Sequence, residues 1–142
     1  VYATEGAFAA LMGCGSVVCW GNKEYGGHHV SVKKQLMDGV ECIFTSKQAF
    51  AALKKDGSVV TWGHEDFGGD SSTVQRRLQG GVMHIVSTGT AFAAIKVDGS
   101  VVTWGHKDGG GDSGRVEPFL CGNPAKEVHE VCGDTQAAAG VQ

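Results

Sequence analysis

A 42-residue period governs this chain. Ala7-Phe8-Ala9-Ala10-Leu11 returns as Ala49-Phe50-Ala51-Ala52-Leu53 and as Ala91-Phe92-Ala93-Ala94-Ile95. Gly15-Ser16-Val17-Val18, Trp20-Gly21 and Gly26-Gly27 recur in step, as Gly57-Ser58-Val59-Val60, Trp62-Gly63 and Gly68-Gly69, then as Gly99-Ser100-Val101-Val102, Trp104-Gly105 and Gly110-Gly111. Val32 and Leu36 match Val74 and Leu78, then Val116 and Leu120. A chain of 142 residues built this way has no single asymmetric core. Each unit folds as a small supersecondary element and buries its apolar residues against its neighbours. The expected repeats are about 1–42, 43–84 and 85–130, with a degenerate start of a fourth at 131–142. The second and third copies are close. The first has drifted, with Cys14 in the place of Asp56 and Cys19 in the place of Thr61. In the fourth start, Thr135, Ala138 and Ala139 echo Thr90, Ala93 and Ala94 at an offset of 45, and Ala137 stands where Phe92 stands.

The middle copy shows what one unit is. Phe50 to Lys55, Asp56-Gly57 and Ser58 to Trp62 read as a β-hairpin with a type I′ turn. That turn sets Leu53 opposite Val60 and Ala51 opposite Trp62. Both hairpin faces carry apolar residues, so the sheet is expected to be covered on both. Gly81 to Ser87, with Val82, Met83, Ile85 and Val86, reads as a strand leading into the next hairpin. Between them lies the turn-rich Gly68-Gly69-Asp70-Ser71-Ser72. Val74 and Leu78 then sit four apart, with Ser72 and Gln75 in capping-box spacing, which predicts one or two helical turns. The 23 glycines against 2 prolines fit many short elements joined by turns. The expected class is all-β, with three strands and a short helical turn per repeat, stacked as propeller blades. Trp20, Trp62 and Trp104, with Phe8, Phe50 and Phe92, are assigned to the packing between blades rather than to a ligand. Three repeats in a chain of this size also suit a β-trefoil or β-prism, the alternative fold.

The segment Leu53-Lys54-Lys55-Asp56-Gly57-Ser58-Val59-Val60-Thr61-Trp62-Gly63, with its twin at 95–105, resembles the repeat of the regulator-of-chromosome-condensation family. It is most similar to the short-repeat branch that includes the bacterial β-lactamase-inhibitor propellers, whose blades are three-stranded, and to uncharacterised algal repeat arrays. The resemblance spans almost the whole chain. It implies a toroidal propeller, usually of seven blades, that binds other proteins on a rim face. Members of the family differ widely, from nucleotide exchange on a small GTPase to enzyme inhibition and accessory roles in ubiquitin ligases. The chain departs from the family pattern in two places. Asn22 keeps the asparagine that follows Trp-Gly, but His64 and His106 replace it. The following Gly-Gln reads Gly27-His28, Gly69-Asp70 and Gly111-Asp112. Seven blades at this period need about 300 residues. Three copies and a start therefore predict an incomplete arc, and the exchange activity, which needs a full ring, is not carried over. An arc leaves an apolar sheet face at each end, to be covered by a protein partner or by self-association.

Composition narrows the partners. Twelve basic against fifteen acidic residues give a net charge of −3, so a nucleic-acid partner is not expected. With 42% hydrophobic and 19% charged residues the chain is not disordered. No apolar run of about 18 residues predicts a membrane span, which leaves docking on a membrane complex open. Residue 1 is Val and no signal-peptide pattern follows, which predicts a processed or trimmed product. The five cysteines, Cys14, Cys19, Cys42, Cys121 and Cys132, show no Cys-x-x-Cys spacing. Cys121 and Cys132 are the first pair to test for a disulfide, against the alternative of buried free thiols.

Several constellations could carry chemistry. His64-x-Asp66-x-x-x-Asp70 recurs as His106-x-Asp108-x-x-x-Asp112, while the first copy reads Asn22, Glu24 and His28. Oxygen and imidazole groups on a glycine-rich loop suit a metal in principle, but the spacing matches no calcium or zinc motif. Capping by Asp70 and Asp112, and by His64 and His106 after Trp-Gly, is the favoured reading. Gly-Asp-Ser-Gly at 111–114 has the form of a protease nucleophile segment, yet Gly69-Asp70-Ser71-Ser72 holds the same repeat position, so a catalytic Ser113 is not expected. Lys33-Lys34 and Arg76-Arg77 are basic pairs on the short helical turns, and the places of Arg76-Arg77 become Pro118-Phe119 in the third copy, where Phe119 is a candidate contact point. The expected binding residues are the rim-loop His64, Asp66, Asp70, His106, Asp108 and Asp112, with Arg76, Arg77 and Phe119. No catalytic residue, cofactor or metal is expected, because no non-repeating cluster of acid, base and nucleophile exists. The resulting expectation is a non-catalytic protein-interaction or scaffold module, an accessory subunit or fragment held in a larger assembly. The alternative is a lectin-like carbohydrate-binding protein of trefoil or prism type.

Overall fold

The structure, a computed structural model, describes residues 1–114. Three separate antiparallel sheets follow one another along the chain. The first holds β1 (Tyr2–Ala3), β2 (Ala7–Leu11) and β3 (Val17–Gly21). The second holds β4 (Val40–Thr45), β5 (Ala49–Lys54) and β6 (Val59–Gly63), and the third β7 (Val82–Ser87), β8 (Ala91–Lys96) and β9 (Val101–Gly105). Each sheet runs in chain order, one strand pairing with the next. Every repeat keeps its own three-stranded sheet instead of lending a hairpin to a shared barrel. The fold is therefore all-β and blade-like, and the trefoil and prism alternatives fall away.

The hairpin register differs from the expected one by one residue. Phe50 faces Trp62, Ala52 faces Val60, Ala51 faces Thr61 and Leu53 faces Val59. The loop has three residues, Lys55-Asp56-Gly57, rather than two. Gly57 donates to the Lys54 carbonyl at 2.9 Å, and Lys54 donates to the Ser58 carbonyl at 2.9 Å. In that loop only Gly57 takes a positive φ, at 85°, so Asp56 does not, and a type I′ turn cannot form. The Asp56 carboxylate instead accepts from the Ser58 hydroxyl at 2.6 Å and the Ser58 N–H at 2.9 Å. Those bonds hold its carboxyl below the ordinary value of 3.8. Because strand side chains alternate, a shift of one residue reassigns every face. Phe50, Ala52, Val60 and Trp62 share one face, and Ala49, Ala51, Leu53, Val59 and Thr61 the other.

This assignment explains how the sheets stack. One core joins Phe50, Ala52, Val60 and Trp62 of the second sheet to Ala7, Ala9 and Val17 of the first. The other joins Phe92, Ala94, Val102 and Trp104 of the third sheet to Ala49, Ala51 and Leu53 of the second. Each blade thus sets its Phe–Trp face against the alanine-rich face of the blade before it. The alanines are poor strand formers, but their small side chains leave room for the incoming rings. Those rings stack on each other, with centroids 5.2 Å apart for Phe50–Trp62 and 5.4 Å for Phe92–Trp104. The indole N–H of Trp62 donates to the Gly26 carbonyl at 3.1 Å, and that of Trp104 to the Gly68 carbonyl at 3.1 Å. A buried Trp needs such a partner for its one polar group.

Two of the six aromatic residues assigned to this packing are not in it. Phe8 is 45% exposed and Trp20 is 47% exposed, because no preceding blade covers their face among the described residues. The expected helical turn is a 3-10 helix, Ser72–Leu78, with a counterpart at Val30–Leu36. The Ser72/Gln75 capping box is not used. Ser71 is the N-cap residue and makes no side-chain cap bond, since its hydroxyl is paired with that of Thr61 at 2.9 Å. Asp70 accepts the Ser72 N–H instead, at 2.9 Å. Leu36 and Leu78 are each 1% exposed and plug the two joints. A backbone ladder also ties the strand connections together: Glu5 N–H donates to the Lys47 carbonyl at 2.7 Å, and Lys47 N–H to the Gly89 carbonyl at 2.9 Å.

Candidate functional site

The rim loops follow each Trp-Gly. His64 Nδ1 accepts the Asp66 N–H at 3.2 Å, and His106 Nδ1 accepts the Asp108 N–H at 3.2 Å. Asn22 makes the same contact to Glu24 at 2.9 Å. Each imidazole therefore caps a single 3-10 turn, Glu65–Phe67 or Lys107–Gly109. Asp112 accepts from the Gly114 N–H at 3.0 Å, the counterpart of Asp70 and Ser72. The Ser113 hydroxyl accepts from Thr103 at 2.9 Å, as Ser71 pairs with Thr61 one repeat earlier. No group of three or more metal-ligating side chains comes together among the described residues.

The loops do create an open groove, of about 520 Å³, where the second and third blades meet. Asp66, Asp70, Arg77 and Asp112 line it, whereas His64, His106, Asp108 and Arg76 do not. Sequence reading missed Glu65 and Lys107, which complete its charged wall. Nothing in the repeat singles them out, since Lys23 and Lys107 match where Glu65 does not. Arg77 is held in place by donating to the Val101 carbonyl of the next blade at 3.3 Å. Phe119 and its neighbour Pro118, like the start of a fourth repeat and the pair Cys121 and Cys132, lie outside the described residues.

The ends of the stack present a second kind of surface. Phe8, Val18 and Trp20 form an exposed apolar patch on the first sheet, with Val18 50% exposed. Phe8 and Trp20 stack at 5.5 Å and 27°, nearly the geometry of the two buried pairs. At the other end, Val86, Ala91, Phe92, Ala93, Gly109 and Gly110 line a largely apolar slot of about 190 Å³. Gly110 is the repeat counterpart of Gly26 and Gly68. A methyl group built at Gly26 or Gly68 would run into the ring of Phe50 or Phe92, but among the described residues nothing lies within 4 Å of one at Gly110. The glycine series was visible in the sequence, but its role as the seat of the next blade's Phe was not.

The cysteines divide by environment. Cys14 and Cys19 are free, and Cys42 is disulfide-bonded. Burial in the first joint pushes the Cys19 thiol up to about 11. Exposed Cys14, 3.2 Å from the Ser16 hydroxyl, is lowered chiefly by that hydrogen bond. A thiolate is the reactive form. At pH 8, iodoacetamide is therefore expected to modify Cys14 well before Cys19, as read by peptide mass spectrometry. Equal rates would show that the first joint opens readily.

No family model matches the chain, and no curated protein matches it. Among solved structures it is similar to Prp20p from Saccharomyces cerevisiae, described with its binding to Gsp1p and histones. The identity is 20%, the TM-score is 0.48, and the match covers 72% of this chain and 29% of the other. It is similar in the same way to the structure of Kap60 bound to yeast RCC1 (Prp20), at 20% identity and a TM-score of 0.47, over 72% of this chain and 28% of that one. The chain thus spans less than a third of the length of the propeller proteins it matches.

Proposed function

We propose that this chain is a non-catalytic protein-interaction module, an accessory or scaffold unit whose blade ends join a partner protein. The observation that carries the reading is the exposed Phe8–Val18–Trp20 face. The same face is buried at both joints inside the chain, where it holds two blades together. An apolar sheet face of this kind, left in water, marks an interaction site. Its rings are already stacked, so docking loses little side-chain freedom. The charged groove at the second joint offers a further rim contact, through Asp66, Asp70, Arg77 and Asp112. At that groove the Ser113 hydroxyl accepts from Thr103.

The test is a photo-crosslinking amino acid placed at position 20 of the chain in the cells that make it, with position 55 as the control. The expected result is a discrete protein adduct at 20 that is absent at 55. Equal labelling at both positions, or no adduct, overturns the reading.

A further inference from the structure

Resting on that reading, we infer that the partner at these ends is a second copy of this chain, docked head to tail. The Phe8–Trp20 pair of one copy enters the slot beside Gly110 of the other. The argument is the repeat itself. Twice within the chain, a stacked Phe–Trp pair sits on an Ala-x-Ala strand beneath a glycine: Phe50–Trp62 on Ala7 and Ala9 with Gly26, and Phe92–Trp104 on Ala49 and Ala51 with Gly68. Ala91, Ala93 and Gly110 repeat that acceptor, and they line the open slot. Phe8–Trp20 repeats the inserting pair, in the same stacked geometry, and it is exposed. The described residues therefore carry both halves of the joint, one at each end of the three-sheet stack.

The polar contacts of the joint repeat as well. Trp62 and Trp104 donate to the carbonyls of Gly26 and Gly68. In the docked pair, the Trp20 indole donates to the Gly110 carbonyl of the second copy. The ladder Glu5 to Lys47 to Gly89 gains its next rung when the Gly89 N–H of one copy meets the Glu5 carbonyl of the other. Such a contact uses different surfaces on the two copies, so it is heterologous: it leads to a ring if the rotation closes and to longer arrays if it does not.

Light scattering during size exclusion of the 142-residue chain tests this, across a dilution series. Two substitutions separate the halves: Trp20→Ala removes the inserting ring, and Ala93→Glu places a charge in the slot. The unaltered chain is expected to associate with concentration. Each variant alone is expected to associate about 30-fold more weakly, the scale of losing one buried aromatic anchor. Circular dichroism and the emission of the buried Trp62 and Trp104 check that both variants fold. The decisive arm is the mixture. Trp20→Ala keeps its slot and Ala93→Glu keeps its Phe8–Trp20 pair, so together they form a one-to-one dimer that grows no further. A chain that stays monomeric throughout, or a mixture no more associated than its components, overturns the inference. The crosslink at position 20 separates this failure from that of the interaction reading. An adduct with a different protein alone sinks the second-copy partner and leaves the module standing, whereas no adduct sinks both.

Discussion

Replacing Phe92 by alanine is expected to lower the unfolding free energy by about 3–5 kcal/mol, the scale of a large aromatic removed from a packed interior. Phe92 is 1% exposed and stacks on Trp104, while Ala49, Ala51 and Leu53 of the preceding blade belong to the same core. Truncation leaves a cavity between two sheets whose backbones are held apart by the rest of the joint, so the site cannot collapse to fill it. Phe8 occupies the same place in the first repeat and faces water, so Phe8→Ala is expected to cost about 1 kcal/mol or less. Urea unfolding at a concentration where the chain is monomeric measures both. The contrast is the informative quantity. Equal losses at Phe8 and Phe92 would mean that the first sheet is covered after all, and the stacking scheme would be wrong.

The glycine seats form the second test. Gly68 lies at φ 99°, and a Cβ there would strike the ring of Phe92. Gly68→Ala therefore combines about 1–2 kcal/mol of left-handed backbone strain with about 1–3 kcal/mol of overpacking. Gly110 lies at φ 105°, and among the described residues nothing is within 4 Å of a built Cβ. Gly110→Ala bears the strain alone, about 1–2 kcal/mol. Thermal or urea unfolding should rank Gly68→Ala as clearly more damaging than Gly110→Ala. Equal losses would show that the glycines are kept for their backbone conformation alone and not as seats for an aromatic ring. The same pair bears on assembly, since a methyl group at Gly110 intrudes on the slot and should weaken association of the chain more than it weakens the fold.

The repeat made most of the architecture legible. Its period, its three apolar runs and its turn residues are local properties, and they dictate a three-stranded unit with both faces apolar. The loop caps were legible for the same reason. His64, Asp70, His106 and Asp112 bond to backbone within a few residues of themselves, so spacing alone predicts the contact. Register was not legible. Asp56-Gly57 suits a two-residue or a three-residue loop, and the choice rests on whether Asp56 accepts a positive φ or binds Ser58. That single decision sets which side chains meet the neighbouring sheet. The groove was half legible: Asp66, Asp70, Arg77 and Asp112 were named from sequence, but Glu65 and Lys107 enter it only because adjacent blades bring two loops together.

The amino-acid order by itself determined that this protein is a stack of like sheets, since a repeated apolar pattern can be satisfied only by repeated contacts. It could not tell Phe8 from Phe50 or Phe92, nor Gly110 from Gly26 or Gly68, because the same residue stands at that place in each copy. Tertiary structure decided that difference: burial belongs to a blade's neighbours, and the first and last blades described each lack one.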